Sequence, residues 1–158
     1  MKAKDFNNLL YAPSWTSQIL HHFLSGACDS KFGKLKFELI YFGLPFVHEE
    51  AILEKLSTSN KKSTITSLFD TPGLKNTLIL INNKIIAFKK ITNQGLIYLG
   101  NIQNLEIAAF ISINETVKYS EESNLHAKKI FKAAYNWGQI LAKEDYKSIF
   151  LKFEIENI

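Results

Sequence analysis

The chain has 158 residues, 46% of them hydrophobic and 22% charged, and its nineteen lysines against fifteen acidic residues give a formal net charge of +4. That length suits one well-buried core rather than two, so a single domain over residues 1–158 is expected; no apolar run approaches the ~18 residues of a membrane span, which argues against a membrane protein. The single cysteine, Cys28, excludes an internal disulfide and a multi-thiolate metal site and reads as a buried spectator. The first residues, MKAKDFNNLLYAPSW, start basic but break their apolar stretch with Asn7, Asn8 and Pro13. They lack the apolar core and cleavage site of a signal peptide, so the cytoplasm is the expected compartment.

In chain order, Ser14 reads as an N-cap for a helix carrying Trp15, Ile19, His22 and Phe23, with Gly26 as its stop. Phe32 to Phe42 fits either a strand, through Leu35, Phe37 and Leu39, or a buried helix, through Leu35, Leu39, Ile40 and Phe42. Val47 to Leu56 predicts a helix with Glu49 and Glu50 in its first turn, where carboxylates meet the positive end of the helix dipole. Ser57 to Thr64 contains no apolar residue and reads as an exposed connection, followed by a short helical turn over Ile65 to Phe69. Thr71-Pro72 is a cap and first-turn signature, after which Leu74, Leu78, Ile81, Ile85 and Phe88 recur at helical spacing. The alternative is a hairpin turning at Asn82-Asn83 between Thr77–Ile81 and Ile85–Phe88. Thr92 reads as the cap of a shorter helix over Leu96 to Gly100, and Leu105–Phe110 and Ile111–Tyr119 as two paired strands. The strongest helix is expected from Ser120 to about Ala142, with Ala127, Ile130, Ala134, Trp137 and Leu141 on one stripe. Ser148 to Ile155 alternates like a final strand that joins the small sheet. The fold class is therefore α+β, mainly helical with a small antiparallel sheet or hairpin.

No catalytic pattern is present. There is no G-x-S-x-G nucleophile turn, and Gly43, Gly73, Gly95 and Gly100 are isolated rather than spaced to cradle a phosphate. His21 and His22 point about 100 degrees apart on a helix and cannot easily share a metal; His48 lacks a second histidine four residues on, and His126 belongs to a solvated lysine-rich helix. The glutamates lie beside lysines on helices, where matching the dipole explains them better than general acid work. No catalytic residue, cofactor, metal or small-molecule substrate is expected, and an enzyme is not. Lys61, Lys62, Lys84, Lys89 and Lys90 are the candidate phosphate contacts, since backbone binding needs only cations on a common face. Solubility alone is the favoured account of them, since the chain has no arginine, the side chain best suited to reading guanine. Trp15 and Trp137 read as core anchors.

Asn7 to Leu24 as a leading helical segment, Phe42-Gly43-Leu44-Pro45 followed by His48, Ser63–Leu68 with Asp70-Thr71-Pro72-Gly73-Leu74, Gly95-Leu96, and Tyr135-Asn136-Trp137-Gly138 followed by Ser148-Ile149-Phe150 form an ordered pattern over nearly the whole chain. In that order they resemble the middle component of bacterial three-component ABC systems, the family that includes the small middle subunit of Lamassu-type anti-phage defence. The resemblance favours the helical reading of Phe32 to Phe42 and a winged-helix-like arrangement. It also implies a non-enzymatic adaptor between an SMC-like ABC ATPase that senses DNA and an effector such as a nuclease, with DNA met through the complex and no membrane contact. The missing arginines depart from the pattern and weaken any direct DNA contact. Candidate interface anchors are Phe42, Leu44 and Phe46, then Leu68 and Phe69, with burial in the core as the competing account of each. The rival reading is a stand-alone winged-helix DNA-binding regulator acting as a homodimer.

Overall fold

Pro13, whose fixed φ suits a first helical turn and whose missing N–H costs nothing there, opens the helix at the centre of the computed structural model, which describes residues 3–155. The expected domain extends beyond these at both ends, and residues 1–2 and 156–158 lie outside the described residues. In chain order come α1 (Ala3–Leu10), α2 (Pro13–Cys28), strand β1 (Leu35–Lys36) and a 3₁₀ helix (Phe37–Phe42). Then follow α3 (Gly43–Val47), α4 (Glu50–Ser57), α5 (Ile65–Phe69), α6 (Pro72–Ile79) and α7 (Ile81–Ile102). Strands β2 (Leu105–Ile107) and β3 (Phe110–Ile113), a 3₁₀ turn (Tyr119–Glu121), α8 (Leu125–Leu141) and α9 (Tyr146–Lys152) complete the described chain.

The fold is mainly helical with one small antiparallel sheet, in the order β1-β3-β2. Leu35 pairs with Ile111, and Leu105 and Ile107 pair with Ile113 and Ile111, the hairpin turning at Ala108-Ala109. A strand after the first core helix and a hairpin after a long later helix is the strand order of a winged helix. Phe32 to Phe42 divides between the two readings: two residues pair as strand, and the next six coil into the 3₁₀ helix.

Several expected boundaries are corrected. The cap position of α2 is Ala12, not Ser14, and Gly26 does not stop the helix but lies within it. A Cβ on Gly26 would sit 1.9 Å from the Tyr135 carbonyl oxygen, and one on Gly138 would sit 1.9 Å from that of Phe23. The α2 and α8 backbones therefore touch, and only glycine leaves room on each side. Gly95 lets side chains of α2 approach α7 closely: its Cβ would lie 2.8 Å from Thr16 Oγ1 and 2.9 Å from Leu20 Cδ1. Thr92 caps no shorter helix; it is fully buried inside the continuous α7, which also contains Asn82-Asn83 and so excludes the hairpin there. The expected Val47–Leu56 helix is two, broken at His48-Glu49. The helix expected from Ser120 starts at Leu125, because the Asn124 side chain accepts from the backbone N–H groups of His126 and Ala127.

The expected final strand, Ser148 to Ile155, is instead α9. The Asp145 carboxylate accepts from Ser148 N–H at 3.1 Å and starts a helical turn, which puts Ile149 and Phe153 inward together and leaves Leu151 81% exposed. A strand would have faced Ile149, Leu151 and Phe153 the same way.

Candidate protein interface

The aromatic centre of the core is assembled by Trp137 of α8, whose Nε1–H donates to the Phe42 carbonyl at 3.1 Å. The Phe46 ring stacks on its indole at 4.7 Å, and Phe69 and Phe153 meet it edge-on. The structure thus places the expected anchors inside rather than outside: Phe42, Leu44 and Phe46 have no exposed surface, and Leu68 and Phe69 are buried with them. In this fold none of the five offers area to a partner. Trp15 is half-buried against Phe131 with ring centroids 5.2 Å apart.

The five candidate lysines do not converge. Lys61 and Lys62 are exposed on the polar connection, which α8 holds through its own neighbours: Lys143 Nζ donates to the Lys61 and Ser63 carbonyls, and the Asn136 amide to those of Leu56 and Ser59. Lys84 pairs with Glu49, and Lys89 Nζ lies 5.8 Å over the Tyr41 ring. At 3.6 residues per turn, Lys84, Lys89 and Lys90 project about 100 to 140 degrees apart around α7, so no common cationic face forms on that helix.

Three of the four histidines are occupied structurally, and His126 is exposed. His21 Nε2 bonds the Glu115 carbonyl at 2.7 Å, and with Ser25 Oγ, which accepts from Val117 N–H, it ties the segment after β3 onto α2. His22 stacks on Phe131 at 4.2 Å. His48 donates from Nδ1 to the Leu44 carbonyl and sits against Tyr11 and Phe88. Burial holds His22 and His48 below the ordinary imidazole range, outweighing the backbone hydrogen bond that raises each. Tyr135, desolvated and donating to the Asp29 carboxylate at 2.8 Å, is pushed well above the usual phenol range. Among the described residues no group of three or more His, Cys, Asp or Glu side chains is placed to hold a metal, and no helix is long and apolar enough to cross a membrane.

The exposed large apolar side chains include Leu9, Ile79, Leu80, Leu125 and Leu151, and a further group on α7 and the β2–β3 hairpin. The stripe Ile81, Ile85, Leu96 and Leu99 faces inward, while Ile86, Ile97 and Ile102 are 58%, 67% and 59% exposed. Ile86 and Ile97, eleven residues apart, project within about 20 degrees of each other. Ile97, Gly100 and Asn101 share an open depression with Leu105 and Ile107 of β2, and Ile107 lines the next one with Phe110 and Lys34. Lys34 Nζ sits 4.5 Å over the Phe110 ring, and Lys36 Nζ lies between Phe110 and Tyr146. Ile97, Ile107 and Phe110 thus line adjoining depressions from the end of α7 across the hairpin, beside Lys34 and Lys36, while Ile86 stands further along α7 beyond Lys90. None of Ile86, Ile97, Ile102, Ile107 and Phe110 is among the anchors suggested by sequence. The signal that marks the two outermost is their position off the helical stripe, about 120 degrees or more from its centre.

The family model for the ABC-three component (ABC-3C) system Middle Component 3 matches residues 2–157 of the chain. No curated protein and no solved structure matches it.

Proposed function

The chain belongs to the family of ABC-three component system middle component 3, and from that premise we propose that it is a non-catalytic adaptor, presenting α7 and the β2–β3 hairpin to another component of the system. Its partners in this reading are an SMC-like ABC ATPase that senses DNA and an effector such as a nuclease, in cytoplasmic anti-phage or anti-plasmid defence of the Lamassu kind. The observation that supports it is the character of the surface that a winged helix uses for contact. Beside its lysines this surface exposes Ile86, Ile97, Ile102, Ile107 and Phe110, and desolvating a few such side chains supplies most of an interface's energy. The test is purification of the tagged chain from its native host at about 0.3 M salt, which strips contacts driven by counterion release, with the bound proteins identified by mass spectrometry. Recovery of a coiled-coil ATPase and a nuclease-like protein is the expected result; a chain recovered alone overturns the reading.

The sheet order β1-β3-β2 favours a second reading, a winged-helix regulator that binds DNA by itself. It requires the isolated chain to bind a duplex with log K falling steeply as salt rises.

A further inference from the structure

The charge of the chain is not evenly distributed. Between Pro72 and Ile102, over α6 and α7, the charged residues are Lys75, Lys84, Lys89 and Lys90, with no aspartate or glutamate. Taking these four from nineteen lysines leaves fifteen, which balance the fifteen acidic residues elsewhere, so the whole formal charge of +4 resides in this segment. Glu49 answers Lys84 from the neighbouring α4 side. Lys89 and Lys90 are exposed, and no described acidic side chain forms a salt bridge with either. Ile86 and Ile97 stand on the outward face, with Lys90 between them along the helix.

We infer that the outward face of α7 is a docking site for an acidic amphipathic helix of a partner protein. This rests on the adaptor reading above and specifies the chemistry of what is bound. The two isoleucines are about 16 Å apart along the axis, three helical turns, so a helix laid alongside meets both with apolar residues at i, i+4, i+7 and i+11. The depression bounded by Ile97, Gly100 and Ile107 takes its end. Carboxylates flanking that stripe on the partner supply the charges that α6 and α7 lack. A DNA backbone fits less well, because it would cover two exposed isoleucines with phosphates and leave the splayed lysines unable to reach one strand together.

The test is a ¹⁵N-correlation titration of the full chain with a 22-residue helical peptide carrying leucine at i, i+4, i+7 and i+11 and glutamate on its flanks, against a twin with lysine for glutamate and against a 20-base-pair DNA duplex. The expected result is saturable binding of the glutamate peptide, with shifts running along Ile86 to Ile102. Ile97→Glu, which leaves the fold intact because that side chain is exposed, weakens binding about tenfold or more. The Lys89→Glu/Lys90→Glu variant weakens it about fivefold at 0.05 M salt and little at 0.5 M. Equal binding of the lysine twin, shifts confined to other elements, or α7 shifts with the duplex alone would each overturn the inference. Purification from the native host separates the two readings: partner proteins recovered equally by the native chain and by Ile97→Glu overturn this docking site and leave the adaptor standing. If the native chain recovers none, the adaptor reading fails, and the peptide titration alone judges the site.

Discussion

At the scale of single residues, the packing of this protein is decided by atoms that are absent. Gly26 and Gly138 let α2 and α8 meet backbone to backbone, and the carbonyls facing them cannot swing aside as a flexible side chain would. Gly26→Ala or Gly138→Ala should each lower the unfolding free energy by about 2 kcal/mol or more, in the overpacking range. Gly73, in the first turn of α6, has nothing within 4 Å of its added Cβ, and Gly73→Ala should raise stability by about 0.5 kcal/mol. Urea midpoints of the three variants, with unchanged m-values, check both statements. His48 carries a second prediction. Its folded-state pKa is lowered by burial, so the unfolded chain takes up a proton first as the pH falls. Stability is then fully present above the unfolded value of about 6.5 and is lost progressively as the pH falls below it. His22, lowered for the same reason, adds to the loss. Unfolding free energies measured between pH 7.5 and 5 should decline, and His48→Gln should flatten the slope.

At the scale of elements, local signals succeeded where a side chain close in sequence acts on the backbone. Pro72 starts α6 after Thr71 as its signature predicts, whereas the Thr64–Ser67 capping box at α5 and the Asn124 cap of α8 are local devices that the reading of the sequence passed over. Local signals failed where a cap-forming residue is used for packing, as at Thr92, or where two periodicities coexist, as in α9. The polar connection after α4 shows a further limit. Its composition reads as a free loop, yet Asn136, buried in α8, donates to Leu56 and Ser59 carbonyls at 2.9 Å each. Asn136→Ala would leave both without that partner and should cost about 1 to 3 kcal/mol. Hydrogen exchange should speed up across Ser57 to Thr64 in that variant while the amides of α2 stay protected.

At the scale of the molecule, the proposed adaptor role predicts that the isolated chain does not read DNA by sequence. The isolated chain at 0.15 M salt should show no sequence preference among 20-base-pair duplexes in fluorescence anisotropy, and any binding at 0.05 M should vanish as salt rises. Sequence-selective binding at 0.15 M would favour the regulator instead. Because Ile97 is two-thirds exposed and Phe46 is fully buried, the two kinds of apolar residue also separate by experiment. Phe46→Ala should cost about 3 to 5 kcal/mol of stability, whereas Ile97→Glu should leave the urea midpoint nearly unchanged.

Sequence alone determined the composition of the protein and much of its local structure: a mainly helical α+β chain, the long helix through Trp137, the hairpin material around Ile107 and Ile111, and the ordered pattern from Asn7 to Phe150 that the family model matches. These were legible because caps, helical spacing and segment order act over a few residues or run along the chain. Which aromatic residues became core was decided only by tertiary structure. Phe42, Phe46 and Phe69 fit a core or an interface role in sequence, and it is Trp137, nearly seventy or more residues away, that closes over them and makes them core. Helical spacing marks which face of α7 turns inward, but no local pattern says which distant element closes over an aromatic side chain.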